Sequence, residues 1–120
     1  MENNKIIGNM AEFAAQNFLK EKGYTIIDLN FRSKTGEIDI IAYDKSYIVF
    51  IEVKYRKNLK NGMPREAVNY KKQSKIIKTA QYYLMIKNIY NKDCRFDVIE
   101  LYGDINNPKI NLIQNAFIIQ

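Results

Sequence analysis

Apolar residues recur along the chain with two different periods, and each period predicts one kind of element. Helical spacing of apolar side chains predicts two long helices, at residues 6–22 and 70–89, with Gly23 ending the first. Alternating apolar and polar positions, rich in β-branched and aromatic residues, predict five strands: 24–32, 37–43, 47–55, 95–102 and 109–119. The order αβββαββ favours the α/β class, as a single domain over residues 1–120 with a central mixed sheet flanked by helices.

The third predicted strand departs from simple alternation at its C-terminal end. Ile48 and Phe50 share one face of this strand with Glu52 and Lys54, so a buried apolar face ends in two charges. Residues two apart in a strand are separated by about 6.6 Å, which places these two side chains next to each other. Charges at the edge of a buried face are costly unless they are paired or bind a ligand.

The second predicted strand supplies a partner for this pair. A tight turn at residues 45 and 46 pairs positions whose numbers add up to 91, which places Asp39 opposite Glu52. Two adjacent carboxylates repel each other and can recruit a cation, with the backbone carbonyl of Val53 as a further oxygen ligand. Lys54 could then stabilise charge developing on a phosphate. A structural salt bridge between Lys54 and either carboxylate explains the same pattern and stays open.

The composition narrows the chemistry. The chain has no histidine, and Cys94 is its only cysteine, so catalytic dyads containing histidine and zinc sites built from cysteine or histidine are excluded. A metal would need oxygen ligands, which favours Mg²⁺ or Mn²⁺. The polar N-terminus and the absence of an apolar run of roughly 20 residues predict a soluble, cytoplasmic protein without a membrane segment.

The positive charge is concentrated in one part of the chain. Residues 54–78 hold nine basic residues and one acid, a net charge of +8, while the ten basic residues and twelve acids elsewhere give −2. Such a block is typical of a surface that binds a polyanion, although a solvated loop and helix face would look the same. The candidate nucleic-acid contacts are Arg32, Arg56, Lys57, Lys60, Arg65, Lys71, Lys72 and Lys75.

A few other residues have two interpretations each. Arg95 could contact a phosphate, but local pairing with Asp97 is the favoured interpretation. Tyr55 and Tyr70 flank the basic segment and could stack on bases, although tyrosines of such a chain more often pack in the core or at its rim.

Several motifs, in order along the chain, resemble one family. Asp39 and Glu52-x-Lys54 match the D…E-x-K signature of the PD-(D/E)XK nuclease superfamily. From Gly8 onward the chain resembles more narrowly the bacterial YraN-like family, small proteins similar in fold to Holliday-junction resolvases. The segments that carry this resemblance are Glu12-x-x-Ala15, Gly23-Tyr24, 30–32, 36–42, 49–56, Gly62-x-Pro64, Ala67-Val68, Lys72-Gln73, 95–98 and 115–117.

The resemblance implies a restriction-endonuclease-like fold with Asp39, Glu52 and Lys54 at the active-site positions. It further implies that Glu12 adds to the metal site and that Lys72 or Gln73 takes part from the second helix. By periodicity alone Glu12 is marginal, and an ordinary solvated glutamate is the alternative. The family's usual glycine before this glutamate is Ala11 here, and Ile38 stands at the proline position of the superfamily name.

Three functions follow from these patterns. The first is a Mg²⁺-dependent endonuclease acting on nucleic acid, with structured DNA in recombination or repair as the expected substrate and a homodimer needed to cut two strands symmetrically. The second is a module of the same fold that binds nucleic acid without cleaving it. The third is a protein-interaction domain, which leaves the charges on the buried face unexplained.

Overall fold

A computed structural model describes residues 4–58 and 69–117, in which two helices pack on a five-stranded sheet. The elements are α1 (Asn4–Glu21), β1 (Thr25–Ser33), β2 (Gly36–Asp44), β3 (Tyr47–Arg56), α2 (Tyr70–Ile86), β4 (Asp93–Tyr102) and β5 (Lys109–Phe117). The predicted αβββαββ order and the α/β class are confirmed. Neither helix of the described residues has the length and continuous apolar surface needed to cross a membrane.

The helix ends are defined by local backbone signals. Gly23, with a φ of 93°, follows α1 while the N–H of Tyr24 donates to the carbonyl of Leu19, so the helix ends as predicted. The N–H of Lys72 donates to the side chain of Asn69, which caps the start of α2. The second helix ends at Ile86, three residues before the predicted position, because Asn88 adopts a φ of 56° and closes the same kind of C-terminal turn.

The strands lie in the order β1-β2-β3-β4-β5. Neighbours pair antiparallel except β3 and β4, which are parallel and are connected through α2, so the sheet is mixed as predicted. Between β2 and β3, Ile40 pairs with Ile51 and Asp44 with Tyr47, which confirms the predicted register. The fifth strand is described to Phe117, and the last residues of its predicted range lie outside the described part.

The core has two layers, one on each face of the sheet. Val49 and Ile51 of β3 belong to the cluster that includes Ala15 and Leu19 of α1. Ile48 and Phe50 belong to the other cluster, which includes Ile76, Ala80 and Tyr83 of α2. The predicted division of β3 into two faces is therefore correct, and each face is covered by one helix.

A buried polar network joins the strands where β4 begins. Arg95 contacts Asp97 (Nε–Oδ1 2.9 Å) and Asp44 (Nη2–Oδ2 2.8 Å), and its side chain is only 12% exposed. The hydroxyl of Tyr24 donates to Asp97 and accepts from Gln114 Nε2. Arg95 therefore pairs locally with Asp97, which is the interpretation favoured from the sequence, and its mostly buried guanidinium is not placed to contact a phosphate.

Candidate functional site

The candidate site lies where β2 begins and β3 ends. Asp39 Oδ2 accepts a hydrogen bond of 2.8 Å from the backbone N–H of Val53, which joins the two strands just beyond the Ile40–Ile51 pair. Glu52 and Lys54 flank Val53 in the chain and follow Ile48 and Phe50 on the α2 face of the sheet. The β2–β3 register thus brings the predicted D and E-x-K residues together.

Glu52 is neutralised by two lysines. Its side chain is 8% exposed, and its Oε1 lies 2.9 Å from Lys72 Nζ and 3.4 Å from Lys54 Nζ. Burial, together with the neighbouring Lys72 ammonium, lowers the pKa of Lys54. Burial also opposes the charge on Lys72, but its contacts with Lys54 and Glu52 outweigh this effect and raise its pKa. The structure places Lys72 of α2 directly at the carboxylate centre.

Asp39 lies among other carboxylates. The pKa of Asp39 is raised to about 7, mainly by burial and then by the negative charges of Glu52 and Glu12, while the hydrogen bond from Val53 opposes the shift. A carboxyl group that is difficult to ionise at neutral pH would be favoured in its charged form by a cation beside it.

Glu12 approaches this region from α1. Its Oε1 is buried and has no hydrogen-bond partner among the described residues. Burial raises the pKa of Glu12, and a hydrogen bond from the Asn30 side chain to the Glu12 carboxylate opposes this shift. The burial of this oxygen argues against the alternative of an ordinary solvated helix glutamate. A buried oxygen without a partner, aimed at a carboxylate-rich region, is the kind of donor that a hard metal ion binds.

A cavity of about 420 Å³ opens beside these residues. We call it the carboxylate cavity, and its lining includes Lys5, Glu12, Asn30, Arg32, Glu37, Asp39 and Val53. Arg32 lies at its rim, 3.4 Å from Glu37 (Nε–Oε1), and its side chain is 76% exposed. Lys5 of α1 also lines the cavity and is exposed, so two accessible cations lie next to the carboxylates.

The donors present fit a hard cation in their chemistry, because every candidate ligand is an oxygen. Asp39 contacts Val53 through the Val53 N–H, whereas the prediction from the sequence concerned the Val53 carbonyl. In the part of the chain that the structure describes, no group of three or more acidic or cysteine side chains is close enough to form a ready-made metal cluster. Glu52 instead has two ammonium groups as its counter-ions.

The other predicted residues that the structure describes lie on α2 and at the end of β3. Gln73 is half-buried in the first turn of α2, one residue after Lys72. Arg56 and Lys57 are exposed where β3 ends, and Lys71 and Lys75 are exposed on α2. The structure does not describe Lys60 and Arg65, whose predicted phosphate contacts fall in residues 59–68.

Sequence reasoning did not single out Asn30 as a site residue by its chemistry. Asn30 adopts a φ of 52° within β1, a conformation that asparagine tolerates better than most residues, and its side chain bonds to Glu12. An asparagine interrupting a run of strand-forming residues is the signal that could have identified it.

Comparison with known proteins places this arrangement in one family. Residues 11–101 match the family described as "Uncharacterised protein family UPF0102". A UPF0102 protein of Clostridium botulinum strain 657 is 54% identical over 117 residues, covering 95% of each chain, and one of strain Loch Maree is 53% identical with the same coverage. A UPF0102 protein of Clostridium acetobutylicum is 49% identical over 116 residues, again covering 95% of each chain. The similarity extends over nearly the whole chain and identifies a family rather than a reaction.

Proposed function

Because the chain belongs to the uncharacterised protein family UPF0102, whose name designates no reaction, we propose its function from the carboxylate site: a Mg²⁺- or Mn²⁺-dependent phosphodiesterase that cleaves nucleic acid. The observation that carries this proposal is the grouping of Asp39, Glu52 and Lys54 at one end of the β2–β3 pair, with Lys72 added from α2. The same residues support assignment to the PD-(D/E)XK superfamily, with DNA as the proposed substrate.

The residues that would hold the metal are Asp39, Glu52, Glu12 and the carbonyl of Val53. A divalent cation bound there would lower the pKa of a water molecule and neutralise charge on a phosphate oxygen. Two features of the chain favour such a cation: the raised pKa of Asp39 and the buried Glu12 oxygen without a partner. Both are costs that a bound cation would offset.

The lysines have a separate role in this proposal. Lys54 and Lys72 each place an ammonium group within 3.4 Å of Glu52, in partly buried surroundings where electrostatic interactions are stronger than in water. We assign Lys54 to stabilisation of negative charge that develops on the phosphate. Lys72 holds the Glu52 carboxylate in place and adds a second positive charge for the incoming backbone. Gln73 is retained as a candidate beside it.

Exposed basic residues near the site would bind the nucleic-acid backbone. Lys71 and Lys75 lie on the open face of α2, and Arg56 and Lys57 lie where β3 ends. Contacts of this kind are independent of sequence and weaken strongly with salt. A homodimer that cuts two strands symmetrically and a cytoplasmic location belong to this proposal as well.

One observation favours a second candidate, a nucleic-acid-binding module without catalysis. Glu52 already has two counter-ions in Lys54 and Lys72, so its charge is balanced without a metal. In this alternative the carboxylates and lysines stabilise the fold, and the basic residues bind the backbone. The two candidates differ in metal dependence and turnover.

The deciding experiment measures cleavage and binding together. Wild-type protein, Glu52→Gln and Asp39→Asn are incubated with branched, nicked, single-stranded and duplex DNA in Mg²⁺, Mn²⁺ or EDTA at low salt. The matched control is Glu21→Gln, which alters an exposed glutamate at the end of α1. We expect metal-dependent cleavage by wild type and the control, and a loss of at least about 100-fold in both site variants, the scale found for a missing charge-stabilising group.

The results separate the two candidates clearly. Binding by wild type without cleavage in either metal would support the non-catalytic module. Cleavage that survives in Glu52→Gln and Asp39→Asn would disprove the assigned site. Thermal unfolding of each variant, with and without Mg²⁺, shows that the fold is intact and whether the cation binds: it should raise the Tm of wild type and not that of Asp39→Asn.

A further inference from the structure

A second cavity lies at the tip of the β1–β2 hairpin, apart from the carboxylates. It encloses about 510 Å³ and is lined by Arg32, Ser33, Lys34, Thr35 and Tyr82. We call it the hairpin-tip pocket. This volume lies within the range of small-molecule sites. Two cations, two hydroxyls and one aromatic ring are suited to an anionic ligand with a flat ring system.

The ring of Tyr82 packs against another aromatic ring. Its centroid lies 6.2 Å from that of Phe31 at an interplanar angle of 32°, and Phe31 in turn packs edge-on against the buried Tyr83 at 4.9 Å. Tyr82 itself remains 43% exposed. A ring that is held by its neighbours and still open to solvent loses little conformational freedom when it stacks on a ligand.

The hairpin tip is fixed to α2. Thr35 Oγ1 lies 2.8 Å from Thr79 Oγ1 and 2.8 Å from Ser33 Oγ. A Cβ added to Gly36 would lie 3.3 Å from Thr79 Oγ1, which shows how closely the tip approaches the helix. Because Tyr82 lies one turn beyond Thr79, these contacts hold the cations of the tip and the aromatic ring in one arrangement.

The hairpin-tip pocket adjoins the proposed active site at Arg32. Arg32 lines both this pocket and the carboxylate cavity. On α2, the exposed residues Lys71, Lys75, Lys78 and Tyr82 follow one another at positions i, i+4, i+7 and i+11 and so share one face. Tyr82 lies ten positions after Lys72, a rise of about 15 Å along the helix, which equals roughly four stacked nucleotides at 3.4 Å each.

We propose that the hairpin-tip pocket is a base-stacking subsite that takes one unpaired nucleotide, with its base on Tyr82 and its phosphate between Arg32 and Lys34. The inference rests on the proposed function for the identity of the ligand and specifies its substrate class. The preferred nucleic acid has a strand that is unpaired about four nucleotides from the cleaved bond, since a paired base cannot reach the ring. Branched, flapped or frayed structures meet this condition, and continuous duplex does not.

The test measures binding in EDTA, so that it does not depend on cleavage. Fluorescence anisotropy with a labelled 12-nucleotide single strand, as DNA and as RNA, and with the blunt duplex of the same sequence gives the Kd of each variant. Tyr82→Ala and Tyr82→Leu are compared with Tyr82→Phe, which keeps the ring, and with Tyr90→Ala, a 74% exposed tyrosine outside the pocket. Leucine keeps an apolar contact with Phe31 but has no aromatic ring. If Tyr82→Ala weakened binding only by destabilising the fold, Tyr82→Leu would bind more tightly than Tyr82→Ala.

We expect about tenfold weaker single-strand binding by Tyr82→Ala and Tyr82→Leu, within the range of base–aromatic stacking, and a change below about twofold for the two controls. Duplex binding should be unaffected by all four substitutions. An equal loss on duplex and single strand, no loss at all, or a wild-type protein that binds no single strand would each overturn the subsite. The DNA and RNA arms identify which sugar the pocket accepts.

The outcome for the subsite is independent of the outcome for catalysis. Selective weakening by Tyr82→Leu without cleavage in any metal would establish the subsite and refute the nuclease proposal. Metal-dependent cleavage with unchanged single-strand binding by Tyr82→Leu would do the reverse.

Discussion

Asp39 is a carboxyl group with three other carboxylates near it. Burial raises its pKa to about 7 from an ordinary 3.8, and Glu52, Glu12 and Glu37 act in the same direction. A folded-state pKa above the unfolded value means that the unfolded chain releases its proton first as the pH rises. In the absence of a bound cation, the free energy of unfolding therefore decreases as the pH rises from about 4 to about 7, and it stays at this lower value above pH 7.

Asp39→Asn should accordingly stabilise the metal-free protein. The amide carries no charge and can still accept the hydrogen bond from Val53, so we expect its Tm in EDTA at pH 8 to exceed that of wild type by a few degrees. The difference should shrink as the pH is lowered towards 4. Asp39→Ala, which leaves the Val53 N–H without its acceptor, serves as the contrast and should not gain as much. A lower Tm for Asp39→Asn at every pH would contradict the electrostatic account.

The site residues differ in how well their positions in the structure can be predicted from the sequence. The pairing of Asp39 with Glu52 could be predicted because a two-residue turn fixes the register of β2 against β3. The sequence places Lys72 among the backbone contacts, and the family resemblance offers Lys72 or Gln73 as a site residue. The contact of Lys72 with Glu52 depends on how α2 docks, which local periodicity does not determine. From the sequence, Asn30 enters only as part of a family motif. Its left-handed conformation depends on the local path of β1, which the residue pattern does not show.

The β1–β2 hairpin and α2 behave as one unit at the level of elements. Thr79 is fully buried, and its Oγ1 bonds to Thr35 Oγ1 and to the carbonyl of Lys75. Through this residue the helix holds the hairpin tip, and with it the residues of the hairpin-tip pocket, at a fixed distance. The position of Arg32 between the two cavities therefore depends on a contact far from the carboxylates in the sequence.

Thr79→Val tests this connection. Valine has nearly the same shape but no hydroxyl, so the variant should lose about 1 kcal/mol of unfolding free energy, the usual net contribution of a hydrogen bond. Urea denaturation gives this value, and amide exchange of the tip residues 34–36 should become faster. The comparison is Thr25→Val at an exposed position of β1, for which neither change is expected. An unchanged exchange rate in Thr79→Val would show that the tip is held by other contacts.

The elements themselves were largely predictable, because each has a strong period and a defined end. Gly23 ends α1 as expected, whereas the end of α2 was placed at residue 89 because apolar residues continue past Ile86. The irregular pairing between Ile26 and Asp28 in β1 was not predicted. The extra residue, Ile27, is apolar like its neighbour Ile26, so the run still resembles an ordinary strand.

The molecule as a whole is tied together where β4 begins by the network around Tyr24. Its hydroxyl donates to Asp97 and accepts from Arg95 and Gln114, so residues distant in the chain meet at one oxygen. Burial raises the pKa of Tyr24 to about 12 from 10. The unfolded chain thus ionises first in alkali, and stability present below pH 10 is lost as the pH rises to about 12.

Tyr24→Phe should change both the level and the slope of this dependence. At pH 7 the variant loses the network hydrogen bonds, and we expect a decrease of about 1–3 kcal/mol in unfolding free energy. Between pH 10 and pH 12 its further decrease should be smaller than that of wild type, because one ionising phenol is gone. Urea denaturation at pH 7, 10 and 11.5 measures both effects, with Tyr90→Phe as the exposed control. If the free energy of unfolding fell equally with pH in wild type and Tyr24→Phe, the ionisation of Tyr24 would not account for the loss of stability in alkali.

The pairing of the strands also determines the order in which the chain can assemble its charges. β2 and β3 are joined by a short turn, so Asp39 and Glu52 meet after the closure of a small loop, at low entropic cost. The parallel pairing of Tyr47 with Asp93 closes a far longer loop and requires α2, which brings Lys72, to be in place. The mutually repelling carboxylates therefore come together with Lys54 beside Glu52 but before the second lysine, Lys72, arrives. We expect dissolved cations to affect how fast this chain folds, and not only what its finished site binds.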